Sequence, residues 1–361
     1  MNIQKTKSYL KLTTPNCRYS GNMAMFDLDC TLIKPIKNKS PKKPYKEFTY
    51  CFSNSIQKLQ EYSKNSYQIV IITNQKVLKT EQDKTDWIEK INKIHSELKI
   101  ELIVYASLED DVYRKPRTGF LEFIKPNSDS FYCGDALGRM NDFTDTDLKF
   151  AMNINIRCLS PEFVFKNDVE IDKNNVSNVL INYAPIYKLQ YYKLFKYLNL
   201  DVTFEVIIMV GIQGSGKSFL SRWIKQQNSF WVYDIISRDT EGTMNKCLNR
   251  MENSLRSGFN IIIDNTNPTI QSRKPFIDLA KKYDYTIKII NIGKMGEDFN
   301  MASHNNYYRH IKFGIPLIPN VALYKFIKDY EKPTFSEGFD EIIYVEFFLP
   351  TVDLDYFKFY F

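Results

Sequence analysis

Short unbroken apolar runs alternate with amphipathic stretches along both halves of the chain. Met23 to Asp27 is a brief apolar run closed by a carboxylate. Gln68 to Thr73 (Gln-Ile-Val-Ile-Ile-Thr) is the β-branched run expected of a parallel strand buried on both faces. Glu101 to Ala106, Ser130 to Cys133 and Ala151 to Cys158 predict further strands. Ser55–Asn65 and Lys84–Lys99 read as helices between them. In the second, Trp87, Ile91, Ile94 and Leu98 recur at helical spacing and form a core-facing stripe, with His95 beside it as a packing or surface residue. Asn167 to Leu200 holds a Tyr-rich helix candidate, Ile186 to Leu198, and reads as a connection. Phe204 to Val210 is then an apolar strand, Phe219–Gln227 a helix, Asn260–Ile263 and Thr286–Ile292 further strands, and Gln271–Tyr283 a helix between them.

This alternation predicts an α/β protein of two domains, each a parallel sheet flanked by helices. The expected bounds are 1–170 and 203–361, joined by a linker over 171–202. A length of 361 residues agrees with two cores. Lys and Arg number 49 against 42 Asp and Glu, a net charge of +7 that is compatible with nucleic acid without requiring it. Six cysteines lie scattered without a CxxC pair, as reduced thiols in an intracellular protein would. The first residues lack the apolar core of a signal peptide and no window is apolar enough to span a bilayer. The expectation is a soluble protein of nucleus or cytoplasm, a cytoplasmic viral replication site included.

Gly211-Ile212-Gln213-Gly214-Ser215-Gly216-Lys217-Ser218 matches the P-loop pattern, with a strand before it and a helix after. Its glycines let backbone N–H groups turn inward around phosphates, and the helix N-terminus adds its positive end. Gly211, Gly214, Ser215, Gly216, Lys217 and Ser218 are thus candidate ATP contacts. Lys217 would neutralise β/γ oxygens and Ser218 would ligate Mg²⁺. Downstream, Arg238-Asp239-Thr240 stands where P-loop kinases place substrate-binding groups. Asp239 could accept the proton of an attacking hydroxyl, or else cap the helix that follows. Asp264-Asn265-Thr266-Asn267-Pro268 closes an apolar strand at the end where ligands bind.

Asp27-Leu28-Asp29-Cys30-Thr31 fits the first motif of haloacid-dehalogenase-type phosphatases, two carboxylates at i and i+2 on a strand end. Asp27 would attack phosphorus, and Asp29 would protonate the leaving oxygen and then activate water. The other motifs of that group follow in order. Thr73 could bond a phosphoryl oxygen, Lys115 could balance charge, and Asp135 could hold Mg²⁺ with Asp27 and the Asp29 backbone carbonyl.

Together these segments resemble the eukaryotic-type bifunctional polynucleotide kinase 3′-phosphatases. The resemblance rests on Thr73-Asn74-Gln75, Tyr113-Arg114-Lys115-Pro116, Gly134-Asp135-Ala136, Arg238-Asp239-Thr240, Asp264 to Pro268 with Ser272-Arg273, His304-Asn305-Asn306 with Arg309, and Pro333 to Phe339. It implies a haloacid-dehalogenase-like phosphatase followed by a P-loop 5′-kinase, both Mg²⁺-dependent. It also implies Asp239 as general base and Arg309 in a lid over the phosphates. Thr266, Arg273, Asn74 and Arg238 would lie toward the substrate strand. The substrate would be nucleic acid with 3′-phosphate and 5′-OH ends, DNA before RNA, handled by a monomer without a membrane. RNA end healing and a nucleotide-binding module with one idle site are the alternatives. Cys30 stands where the family has glycine, and Tyr307 where its lid often has a basic residue. The residues before Met23 are too few for the family's N-terminal forkhead-associated module. Lys34 to Lys46, with six lysines, could grip a nucleic-acid backbone or be a solvated loop.

Overall fold

The computed structural model describes residues 1–36, 44–166, 204–227, 232–293, 299–345, 356 and 358–361. Its contacts divide the chain into two units, Met1–Ala184 with Asp355–Phe361, and Pro185–Leu354. The expected linker, the helix Ile186 to Leu198 within it, and Lys37, Lys39, Lys42 and Lys43 all lie outside the described residues.

The first unit is built on a seven-stranded sheet. Its order is Asn2–Lys5, Tyr9–Thr13, Leu102–Ser107, Gln68–Asn74, Met23–Phe26, Phe131–Cys133, Arg157–Leu159. The two pairings at the N-terminal edge are antiparallel and all others parallel. The run Gln68–Asn74 needs apolar residues on both sides because both faces are covered. Ile69 and Ile71 join Phe26, Trp87 and Leu102 in one core, while Val70 and Ile72 join Met23, Tyr105 and Phe120 in the other. The helix Glu81–Leu98 packs Trp87, Ile91, Ile94 and Leu98 on the first of these faces. It begins earlier than the stripe suggests because Thr80 and Asp83 close a capping box.

Two expectations for this unit fail. Ala151 to Cys158 is not one strand. The helix Thr146–Asn153 ends there and only Arg157–Leu159 is extended. A short apolar stretch satisfies either period, and Phe150 and Ala151 are buried from the helix. The first strand was expected at Met23, but the residues before it contain the strands Asn2–Lys5 and Tyr9–Thr13. The described residues 356 and 358–361, expected within the second domain, belong by contact to the first unit.

The second unit has a five-stranded, all-parallel sheet ordered Tyr233–Ile236, Asn260–Ile263, Glu205–Val210, Thr286–Ile292, Glu341–Val345. Val206 and Ile208 face Met251 and Phe276 from the helices Met244–Arg256 and Ile270–Lys282. Ile207 and Met209 face Leu220 and Ile224 from the helix Lys217–Gln227. The helices Phe299–Phe313 and Asn320–Asp329 were not legible in the apolar pattern. Among the described residues no helix is long and apolar enough to cross a membrane, and the six cysteines are free.

Candidate active sites

In the first unit, the carboxyl ends of the parallel strands bring the motif residues together. Asp27 follows Met23–Phe26 directly, and its N–H bonds the Cys133 carbonyl at 2.9 Å, which ties this strand's end to the strand before Asp135. Lys115, buried, donates from Nζ to Asp27 Oδ1 at 2.7 Å, to Asp147 Oδ1 at 2.7 Å and to the Tyr132 hydroxyl. Asp147 comes from the helix Thr146–Asn153, and its other oxygen accepts the Ala136 N–H at 3.1 Å. Carboxylate oxygens of Asp27, Asp135 and Asp147 lie within 4.8 Å of one another. A convergent set of carboxylates, Asp27 and Asp147 buried and Asp135 half-buried, is the donor chemistry that a hard divalent cation requires.

The electrostatics follow from that crowding. Burial, then the Asp147 and Asp135 charges, push the Asp27 carboxyl well above its usual range despite Lys115. Burial and Asp147 raise Asp135 to about 6. Burial works against the Lys115 ammonium, but the Asp147 and Asp27 carboxylates more than offset it and hold it protonated.

Asp29 is gripped by two donors that sequence reasoning did not assign: the Tyr45 hydroxyl to Oδ1 and Gln75 Nε2 to Oδ2. Gln75 Nε2 also donates to Thr73 Oγ1 at 3.1 Å, so Thr73 and Asp29 share one orienting amide. Thr31 donates to Asp135 Oδ1 at 3.0 Å. Beside Asp29 opens a cavity of about 450 Å³ lined by Tyr45, Gln75, Trp87 and Lys90 among others. Trp87 Nε1 is buried there without a hydrogen-bond partner. Asn74 was expected to face the substrate. Both ends of its amide are instead taken by the Lys115 backbone, at 3.1 and 2.9 Å, so it clamps the lysine loop. Lys46, from the basic run, is paired with Asp86 at 2.6 Å and Glu89 at 3.3 Å.

In the second unit the glycine loop joins Glu205–Val210 to Lys217–Gln227. Gly214 and Gly216 sit at φ +82° and +94°, where side chains are strained, and a Cβ on Gly214 would meet the Ala302 carbonyl at 2.9 Å. Lys217 folds over the loop and donates to the Gly211 and Ile212 carbonyls, both at 2.7 Å, and lies near the Ser215 hydroxyl. Burial lowers its ammonium to about 8, with Asp264 and Asp239 opposing that fall and Arg309 adding to it. These charges therefore surround the loop. Asp264, given no role from sequence, accepts a hydrogen bond from Ser218.

From the helix Phe299–Phe313, Asn305 Nδ2 bonds the Gly214 carbonyl at 2.8 Å, and Arg309 is near Asn306 Oδ1 at 3.4 Å. Gln213 Oε1, Asp264 Oδ1, Asn265 Nδ2 and Arg309 Nε are all buried without a hydrogen-bond partner. The two donors among them, Asn265 Nδ2 and Arg309 Nε, are what a polyanionic ligand would satisfy, while the two oxygens call for a cation or a donor group. Asp239 is exposed on the short helix Arg238–Glu241. Ser237, not Asp239, caps that helix, so the aspartate is left available. Arg238, exposed, is fixed by its backbone N–H to Asn265 Oδ1 at 2.8 Å. The Thr266 carbonyl accepts the Gly211 N–H at 3.1 Å, which places that residue against the loop.

Arg273 requires a correction. Expected near a DNA strand, it is fully buried and forks onto Glu337 at 2.7 and 2.8 Å, with its remaining nitrogen on the Asn267 and Pro268 carbonyls at 3.1 and 3.3 Å. Its role is to fasten the Asn267-Pro268 turn to the segment around Glu337.

A buried carboxylate–lysine cluster at one sheet end and a P-loop at another define a two-site phosphoryl-transfer protein. The family described as Polynucleotide kinase 3 phosphatase matches residues 22–165. The chain is 32% identical over 330 residues to a bifunctional polynucleotide phosphatase/kinase of Schizosaccharomyces pombe, covering 89% of this chain and 79% of that protein. It is 31% identical over 402 aligned positions to a putative bifunctional polynucleotide phosphatase/kinase of Acanthamoeba polyphaga mimivirus, covering 97% of this chain and 91% of the relative. A polynucleotide 3′-phosphatase of Arabidopsis thaliana is 29% identical over 133 residues, 30% of this chain and 19% of that one. The chain belongs to the bifunctional polynucleotide phosphatase/kinase family.

The Arg273 correction has a measurable consequence. Arg273→Ala leaves the buried Glu337 carboxylate without its cation and with the Thr334 N–H as its remaining partner, so chemical denaturation should show the second unit destabilised by about 3–5 kcal/mol. A folded variant with unchanged stability and weakened DNA binding would return the residue to the substrate surface.

Proposed function

We infer that this chain removes 3′-phosphates from nucleic-acid ends at its first unit and phosphorylates 5′-hydroxyls from ATP at its second. One observation carries the reading. A lysine-bridged carboxylate cluster and a P-loop ringed by unsatisfied polar atoms occur on one chain whose relatives, over most of its length, are bifunctional polynucleotide phosphatase/kinases. On this reading a 3′-phosphate/5′-OH break leaves with ligatable ends.

For the phosphatase, Asp27 attacks phosphorus and the 3′-oxygen leaves as Asp29 gives it a proton. Asp29 then takes a proton from the water that opens the aspartyl-phosphate. Lys115 balances the charge of nucleophile and phosphate, and Thr73 bonds a phosphoryl oxygen. Tyr45 and Gln75 aim Asp29. Because both contacts to Asp29 also line the cavity beside it, the leaving nucleoside occupies that cavity. Asp27, Asp135 and the Asp29 carbonyl would hold Mg²⁺, which would screen the phosphate from the carboxylates.

For the kinase, the loop amides and Lys217 hold the ATP phosphates, and Ser218 with Asp264 would hold Mg²⁺. Asp239 takes the proton of the 5′-hydroxyl, and Arg309 reaches the transferred phosphoryl. Arg238 and Thr266 lie on the strand side. The chain acts as a monomer on DNA in preference to RNA, in nucleus or cytoplasm, with its phosphatase domain over 1–170 and its kinase domain from 203.

Nicked DNA carrying a 3′-phosphate and 5′-OH, and the same nick in RNA, should be incubated with ATP and Mg²⁺ and resolved by gel. Both ends of the DNA should be converted, and faster RNA conversion would reverse the substrate assignment. Asp27→Asn should abolish phosphate removal and spare the kinase. More than a few per cent residual phosphatase in a clean preparation would take the nucleophile role from Asp27.

Lys217→Ala should remove 5′ phosphorylation and leave the phosphatase intact. Asp239→Ala should cost roughly 10²–10⁴-fold in kinase rate while ATP affinity is kept. Loss of ATP binding with turnover retained would instead make Asp239 a nucleotide ligand.

A further inference from the structure

The loop that carries Lys115 and the helix that carries Asp147 are both gripped by residues from the far end of the chain. Asn153, at the end of that helix, donates from Nδ2 to the Pro116 carbonyl at 2.8 Å and to the Phe359 carbonyl at 2.8 Å. Its Oδ1 accepts the Phe359 N–H at 2.7 Å. Arg117 Nε donates to the Tyr360 carbonyl at 2.9 Å, while its Nη1 holds the Asp110 carboxylate and the Asp111 carbonyl, each at 2.7 Å. Lys149, from the same helix as Asp147, donates to the Phe361 carbonyl at 3.0 Å and lies over the Phe359 and Phe361 rings. Tyr356 and Tyr360 are buried.

The placement of these bonds is the informative part. Pro116 and Arg117 follow Lys115 directly, and Asn74 already fixes the Lys115 backbone from the other side. Lys149 and Asn153 bracket the second half of the helix whose first turn holds Asp147. Asn153 touches both the loop and the distal segment, so one amide joins the two elements that present the Lys115–Asp147 pair. The contacts fall on main-chain carbonyls and an N–H, which fixes position more closely than side-chain packing does. The residues they join are 206 to 243 positions apart.

We propose that residues 358–361 form a strap that, through Asn153, Arg117 and Lys149, holds the Lys115 loop and the Asp147 helix in the arrangement that 3′-phosphate removal uses. The strap is a positioning element and touches neither substrate nor reacting atoms. It rests on the phosphatase reading above. It makes the first activity depend on sequence encoded after the P-loop unit, so cleavage between 345 and 358 that releases the strap would silence the phosphatase and leave the kinase.

The full chain is tested with three variants: residues 358–361 deleted, which removes the main-chain partners of Asn153, Arg117 and Lys149, Asn153→Ala, and the two combined. Because small displacements of catalytic groups cost orders of magnitude, each single variant should lower kcat for a 3′-phosphorylated oligonucleotide by about tenfold or more. KM and 5′-kinase activity should stay within about twofold. The combined variant should be no slower than the slower single one, since both break the same joint. Asn153→Asp, which keeps only the acceptor for the Phe359 N–H, should fall between. Unchanged kcat in the deletion, a risen KM at constant kcat, or multiplicative losses in the combined variant would each overturn the strap.

Hydrogen–deuterium exchange over residues 111–120 supplies a readout without turnover. The loop should exchange faster in both single variants, and equal protection would overturn the proposal. A wild-type chain with no phosphatase activity would sink the functional reading, and exchange would still decide the strap.

Discussion

One buried ammonium permits the first site to exist. Asp27, Asp135 and Asp147 are drawn to within 4.8 Å of one another in a place where water screens them poorly. Lys115 is the cation among the described residues that meets two of them at hydrogen-bond distance. The pressure shows in the carboxyls of Asp27 and Asp135, both pushed up. Much of the surrounding structure serves to hold one Nζ. The Asn74 amide fixes its backbone, the Tyr132 hydroxyl meets the ammonium, and the Ala136 N–H keeps Asp147 turned toward it. A buried ion pair adds little net stability, because desolvation offsets attraction. What it secures here is the orientation of Asp27 and Asp147, with negative charge left over that a divalent cation would complete.

The second site poses the opposite problem. Its loop offers donors without an acceptor in place. Lys217 bonds its own loop carbonyls, and Arg309 Nε and Asn265 Nδ2 are buried donors without an acceptor. Burial lowers the Lys217 ammonium, a cost that a polyphosphate would reverse by supplying the missing negative charge. One unit thus holds surplus negative charge and the other surplus donors. Each deficit matches what its half of the reaction brings: a cation with the phosphate to be removed, and the phosphates of the donor nucleotide.

The parts of both sites legible in the sequence are those whose function lies in contiguous residues. The DxDxT run, the glycine loop and the Gln68–Asn74 strand each carry their own local geometry, so pattern reading reaches them. What escaped depends on partners far along the chain. Asp147 becomes the second partner of Lys115 from the helix Thr146–Asn153, whose last residues the apolar spacing assigns to the strand Ala151 to Cys158. Tyr45 and Gln75 are unremarkable in sequence until the fold turns both onto Asp29. Arg273 reads as a DNA contact because arginine favours phosphate. Its actual partner, Glu337, is 64 residues away and takes the same fork geometry. The strands Tyr233–Ile236 and Glu341–Val345 are short and lie at the sheet edges, where apolar pattern is weakest.

Cys30 shows how such non-local bonds overrule a local preference. It occupies the left-handed region at φ 66°, where a side chain costs about 1–2 kcal/mol. The turn is nonetheless closed by the Cys30 N–H to the Ile33 carbonyl at 2.8 Å. The Leu32 and Ile33 N–H groups both reach the Leu28 carbonyl at 3.0 Å. Leu28, Leu32 and Ile33 are buried in the core beneath, so the turn is held from below. The strain is small beside that anchoring, and the carboxylates of Asp27 and Asp29 on either side of Leu28 keep their separate partners, Lys115 for one, Tyr45 and Gln75 for the other. Separation of the two carboxylates by their partners, more than the flexibility of the residue that follows them, is what gives Asp27 and Asp29 different surroundings.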